Sequence, residues 1–223
     1  QLKEALRLSS GQLEGNLAMG DLLWARDNRV EAIKFYTAPL SPSRDTLATT
    51  DADFARFYGR RAMGRYNKNS NDLIAVKLDV EDALRYDSLQ KEAIQMWPVA
   101  LIRDYSLSAK RDRCLALLDR GIAAYARDKS YVSELYNSKA VLYDGKGDTT
   151  QVLQSLKKAI EVNEDNISAW DNLLKYYNGH SMFEEGIAAA NTLITRLKAK
   201  KENQTVAVAM LYKGDFLWKQ DKK

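Results

Sequence analysis

Apolar residues recur at helical spacing along nearly the whole chain, and over residues 133–200 the pattern repeats with a period of 34 residues. Tyr136 and Trp170, Tyr143 and Tyr177, Leu153 and Ile187, and Ala159 and Leu193 all stand at that interval. Within the first unit, Tyr136, Ala140 and Tyr143 share one helical face, and Val152, Leu156, Ala159 and Ile160 share another. The polar turn Gly145-Lys-Gly-Asp148 separates the two runs, so each unit predicts two antiparallel helices joined by a tight turn. A fixed period of this length predicts a repeat architecture. Every apolar run follows the 3.6 period, so the expected class is all-α with no strand.

The rest of the chain reads as eroded copies of the same hairpin. Ala5-Leu-Arg-Leu8 resembles the end of a second helix such as Ala159-Ile-Glu-Val162, which makes residues 1–12 a half repeat. Hairpins are then expected at about 13–44, 51–88, 89–130, 133–166 and 167–200, with a last half repeat over 204–223, all in one repeat domain spanning 1–223. Pro39 and Pro42 end the first hairpin, a polar loop covers 41–50, and the connection at 67–71 is longer than its counterparts. Pro98 falls inside a predicted helix, where proline costs roughly 3 kcal/mol, so a kink or a split near Trp97 is expected. The final helix carries Gly214-Asp-Phe-Leu-Trp-Lys-Gln-Asp221, which repeats Gly20-Asp-Leu-Leu-Trp-Ala-Arg-Asp27. The two incomplete ends are expected to be cuts through a longer array, with a terminal solvating helix as the competing reading of the last one.

These residues resemble the tetratricopeptide repeat (TPR) family, a 34-residue helix–turn–helix with tryptophan, leucine-glycine and tyrosine in the first helix. Trp170, Leu173 and Tyr177 match that helix in one unit; Met19-Gly20 and Ala32 match the signature in another; Tyr136, Tyr143, Gly147-Asp148 and Ala159 match in a third. The family's closing proline is replaced by Ser10, Ser88 and Glu164. The resemblance implies a right-handed α-α superhelix, a solenoid whose first helices line a concave groove. It also implies the function, a protein-interaction scaffold that binds a peptide or helix of a partner in that groove.

In that register the groove-facing side chains include Trp24 on the first hairpin, Arg56 and Arg60 on the second, and Arg103 on the third. Asn137, then Asp171 and Lys175, and finally Trp218 continue the set, with Leu17, Asp21, Val141, Asp144, Asn178, Leu211 and Asp215 beside them. Arg56 and Arg60 are one turn apart on one helical face, a pair suited to a carboxylate or phosphate. Tryptophans at a binding face commonly anchor a partner. Asp21, Asp144 and Asp171 interrupt the cations, which favours a peptide of mixed character over a polyanion. The family's chaperone-binding clamp of lysines and asparagines has Leu17 and Asp21 at its positions in the first full unit.

Composition narrows the chemistry further. Of 223 residues, 45% are hydrophobic and 29% charged, the net charge is +4 and the isoelectric point is about 9.0. That balance builds a sizeable core and permits an anionic partner without demanding one. The single Cys114, set among leucines, reads as a buried thiol, and the single His180 reads as a surface turn residue. Neither a catalytic constellation nor a cofactor or metal motif is present in the sequence, and the chain reads as non-enzymatic. The competing classes are a regulatory or sensor segment of a larger enzyme and an RNA-binding solenoid. The facing residues differ in kind from unit to unit, which disfavours a base-reading code and hence nucleic acid. Nothing approaches a membrane span, the compartment is left between cytoplasm and bacterial periplasm, and the apolar end helices are expected to promote self-association.

Overall fold

A computed structural model describes residues 13–40, 50–66, 73–102 and 108–221. The half repeat at 1–12, most of the polar loop, the long connection at 67–71 and Arg103 lie outside the described residues. The chain divides into two compact units, Gln1–Ala124 and Tyr125–Lys223.

The first unit contains α1 (Leu13–Ala25), α2 (Arg29–Thr37) with a 3-10 turn at Ala38–Leu40, α3 (Asp51–Arg65), α4 (Leu73–Tyr86), α5 (Lys91–Ile102) and α6 (Ser108–Ala124). The second contains α7 (Lys129–Asp144), α8 (Thr149–Val162), α9 (Ile167–Gly179), α10 (Phe183–Ala199) and α11 (Asn203–Gln220). No strand occurs among the described residues. Successive helices pack on one another in both units, as the antiparallel pairing of short-looped amphipathic helices requires.

Local chemistry sets the helix starts. Thr50 and Asp53 form a reciprocal capping box on α3: the Asp53 amide donates to Thr50 Oγ1 at 3.3 Å, and the Thr50 amide donates to Asp53 Oδ2 at 3.2 Å. Asp128, Asp148 and Asn166 cap α7, α8 and α9 by accepting from the third amide on, at 3.0, 3.1 and 2.9 Å. The hairpin turns share one geometry. Asp27, Gly147 and Ser181 all have left-handed φ, at 57°, 73° and 56°. The following amides of Asn28, Asp148 and Met182 donate back to the carbonyls of Leu23, Tyr143 and Tyr177. Only Gly147 takes this conformation without a Cβ penalty.

Pro98 does not split its helix: α5 runs unbroken from Lys91 to Ile102 with the proline buried inside it. The ring removes one amide donor, and the packing of the neighbouring Ala93, Met96 and Ala100 on α4 holds the turn together.

In the first unit Leu17, Ala32, Tyr36 and Phe57 form one apolar cluster, and Ala62, Val76, Val80, Ala83, Ala93, Met96 and Ala100 form another. Asp79 is embedded in the same unit with its side chain 1% exposed. It accepts two Arg61 hydrogen bonds from Nε, at 3.1 and 3.0 Å, and one from Nη2 at 2.6 Å, while Arg65 Nη1 lies 3.0 Å away. Burial pushes the Asp79 carboxyl up, and the two guanidiniums oppose that push. In the second unit a continuous core runs from Ala140 through Leu156, Trp170, Leu174, Tyr177 and Leu193 to Phe216. A buried polar link crosses it: Asn166 Nδ2 donates to Ser133 Oγ, which donates to the Ala159 carbonyl, both at 2.8 Å. Every buried side-chain polar atom among the described residues has a partner.

Candidate partner-binding faces

In the first unit, α1, α3 and α5 are joined by Arg60. Its Nε lies 3.6 Å from Asp21 Oδ1 on α1, and its Nη1 lies 3.4 Å from Glu92 Oε1 on α5. The Tyr36 hydroxyl donates to the same Asp21 oxygen at 2.7 Å, and burial together with that carboxylate pushes the phenol well up. Arg60 is thus a tie between three helices, and its charge is largely matched. Arg56, one turn earlier, is exposed and stands 3.7 Å from Asp53.

Trp24 is half-buried against the Leu17, Ala32, Tyr36 and Phe57 cluster, with the Arg29 guanidinium 4.9 Å above its ring. Leu17, expected on the groove, is buried between α1 and α2. The reason is geometric. Leu17, Gly20 and Trp24 lie on the stripe that α2 covers, and the absent Cβ of Gly20 admits the Tyr36 ring, since an added Cβ would sit 2.3 Å from Cε1.

In the second unit the first helices α7, α9 and α11 are joined by a polar ladder. Asn172 Nδ2 donates to Asn137 Oδ1 at 2.9 Å, the Tyr212 hydroxyl donates to Asp171 Oδ1 at 2.8 Å, and Asn178 Nδ2 donates to Asp215 Oδ2 at 2.8 Å. Asn137 is therefore buried, with its carbonyl oxygen occupied. Lys175 pairs with Asp171 at 2.6 Å, and Lys219 reaches both Asp215 and Asn178. Burial and the Asp171 hydrogen bond push the Tyr212 phenol up to about 12, while Lys219 holds the Asp215 carboxyl below the ordinary range.

A pocket of about 260 Å³ opens beside this ladder. Ala140, Val141, Val152, Leu156 and Tyr176 form its apolar wall, and Asp144, Asn172, Lys175 and His180 supply polar groups. His180 is exposed, as the turn predicts, and its ring stacks on Tyr176 with centroids 4.0 Å apart. Thus Val141, Asp144 and Lys175, drawn from two first helices, share one concavity, whereas Asn137 and Asp171 serve as struts. The Asn166-Ile-Ser168 sequon holds its asparagine buried as a cap, out of reach of modification.

Sequence reading missed Arg61, Arg65 and Asp79. An aspartate set among Val76, Val80 and Ala83 on the apolar face of α4 was the available signal, because a carboxylate there demands a cation. It also missed a cleft of about 530 Å³ in the first unit, lined by Leu84, Trp97, Leu117, Arg85, Arg113 and Arg120. Cys114 is fully buried, and burial pushes its thiol up to about 12. Among the described residues there is no cluster of three metal-binding side chains, and no helix is long and apolar enough to cross a membrane.

Comparison with known proteins places the fold. No protein-family model matches the sequence, and no curated protein matches it. Solved structures do match. The chain is similar to YrrB, described as a TPR protein with an unusual peptide-binding site, at a TM-score of 0.52 and 15% identity, covering 94% of this chain and 97% of that one. It is also similar to a MamA RS-1 ArsTM double mutant at a TM-score of 0.50 and 13% identity, covering 95% and 97%. The fold is that of the TPR-like helical-repeat solenoids, as the 34-residue period implies.

Proposed function

We propose that this chain is a protein-interaction scaffold that binds an extended peptide or a helix of a partner along its first helices. The observation that carries the reading is the pocket between α7 and α9, with apolar walls and with Asp144 and Lys175 at its polar margin. An apolar cavity bordered by both charges suits a side-chain anchor flanked by polar groups better than it suits a uniform polyanion. The shared fold with YrrB, itself a peptide binder by description, supports the ligand class. On the first unit, taken by itself, Arg56 and the Arg60 tie form a surface that also carries both charges.

Selection from a displayed peptide library tests this. Peptides combining one apolar anchor with an acidic residue are expected to be enriched, and their affinity should fall moderately with salt. Val141→Glu and Lys175→Glu should each weaken them at least tenfold at unchanged helicity, and Arg56→Glu should do so for peptides that bind the first unit by itself. Peptides retained equally by all three variants would overturn the reading.

A further inference from the structure

The cleft of about 530 Å³ in the first unit is walled by α4 and α6 and reached by Trp97 of α5. Its two walls follow one plan. On α6, Arg113, Ala116, Leu117 and Arg120 stand at i, i+3, i+4 and i+7, so all four share one face. On the other wall Glu81, Leu84 and Arg85 occupy the first three of those steps on α4, and Ser88 follows in the turn beyond it. Arg120 Nη2 donates to Ser88 Oγ at 3.1 Å, which closes one end of the trough and fixes the register of its walls. Leu84, Trp97 and Leu117 are half-buried and form an apolar floor. Because α5 packs on both α4 and α6, the trough is a gap between packed helices and not the uncovered side of one.

Two of its charges are not matched within the chain. Arg113 is exposed and has no hydrogen-bond or ion-pair partner among the described residues. Arg120 gives one N–H to a neutral hydroxyl and keeps its other donors. Arg85, by contrast, is paired with Asp82 on its own helix. Glu81, the one carboxylate among the described lining residues, holds an interaction of its own. Spacing then decides the kind of ligand. Seven residues of helix put Arg113 and Arg120 about 10 Å apart along α6. Side chains on one face of an extended strand recur at about 7 or 13 Å, whereas i and i+7 of a helix stand about 10 Å apart with i+3 and i+4 between them. A uniform polyanion would leave the apolar floor uncovered and would meet Glu81.

We infer that this cleft docks a helix of a partner protein, one face of which reads acidic, apolar, apolar, acidic at i, i+3, i+4 and i+7. The two carboxylates pair with Arg113 and Arg120, and the apolar pair covers Leu84, Trp97 and Leu117. The site lies wholly within the first unit and shares no residue with the pocket beside Lys175, so it binds independently of the peptide reading above.

The test uses the intact chain and a fluorescein-labelled peptide of about 20 residues, long enough to populate a helix. It is built of alanine and glutamine, with glutamate, two leucines and glutamate at i, i+3, i+4 and i+7. Saturable binding below about 1 mM is expected, with one site per chain, and it should weaken as salt is raised. Arg113→Glu and Arg120→Glu should each weaken it at least tenfold at unchanged helicity. Ala116→Glu, at an exposed helical position between them, should abolish it by placing a carboxylate in the trough. Lys175→Glu should leave it unchanged. A control peptide with the second glutamate moved to i+5, on the far face of its helix, should bind about tenfold more weakly. Absence of saturable binding, indifference to both arginine variants, or equal binding of the control peptide would overturn the inference.

Discussion

Asp79 shows how one residue governs its surroundings in the first unit. Its carboxylate is buried, and Arg61 and Arg65 are tied to it, so removing it takes the carboxylate from both guanidiniums, with little solvent to replace it on the Arg61 side. Asp79→Ala is expected to cost about 3 kcal/mol, read as a shift in the urea midpoint at unchanged slope. In the second unit Tyr212 makes the stability depend on alkaline pH. Its folded phenol is raised to about 12, above the ordinary tyrosine value of about 10, so the folded state holds the proton longer. The stabilisation is complete below about pH 10 and is lost as pH rises toward 12. Tyr212→Phe should flatten the fall in melting temperature over that window, measured against wild type in parallel titrations. A smaller residue-scale effect distinguishes two caps. Asp148→Ala removes one capping bond and should cost about 1 kcal/mol, while Asn166→Ala also breaks the buried bond to Ser133 and should cost about 2 to 3.

At the scale of the helix, the same substitution has opposite signs at two copies of one motif. Gly20→Ala places a methyl 2.3 Å from a Tyr36 carbon, and overpacking of that kind costs about 1–3 kcal/mol, more than the helix-propensity gain returns. Gly214→Ala meets open space and should raise stability by up to about 1 kcal/mol. Thermal melts of the two single variants measure both, and equal effects would contradict the assigned packing of α1 on α2. The turns behave alike for a shared reason. Asp27 and Ser181 occupy left-handed φ where Gly147 does so at no cost, so Asp27→Gly and Ser181→Gly are tolerated positions for relieving backbone strain.

For the molecule as a whole, each compact unit holds its own apolar clusters and its own polar ties. The apolar cluster from Ala140 to Phe216 is continuous from α7 to α11, and the described residues that form it all lie within 125–223. Residues 125–223 expressed separately are expected to give a helical circular dichroism spectrum and a cooperative melt. A spectrum of an unfolded chain would show that this core depends on residues outside it. Repeat arrays gain stability from neighbouring units, so the isolated segment should melt below the full chain.

What the sequence determined by itself is local. The 3.6 period, the caps at Asp128, Asp148 and Asn166, and the turns between paired helices are written in residues close together in the chain, and the all-α, TPR-like class follows from them. Cys114 and His180 were legible for the same reason, since a thiol among leucines and a histidine in a turn are set by immediate neighbours. Tertiary structure decided the pairings. Arg60 meets Asp21 and Glu92 from distant helices, Arg61 meets Asp79, and Tyr212 meets Asp171. Sequence spacing shows that a charge lies on a face, and only packing brings the opposite charge to it. Trp24 and Trp218 make the point most directly. One motif, twice encoded, is covered by α2 in the first copy and left open in the last, because burial is a property of the neighbouring helix and not of the residues that await it.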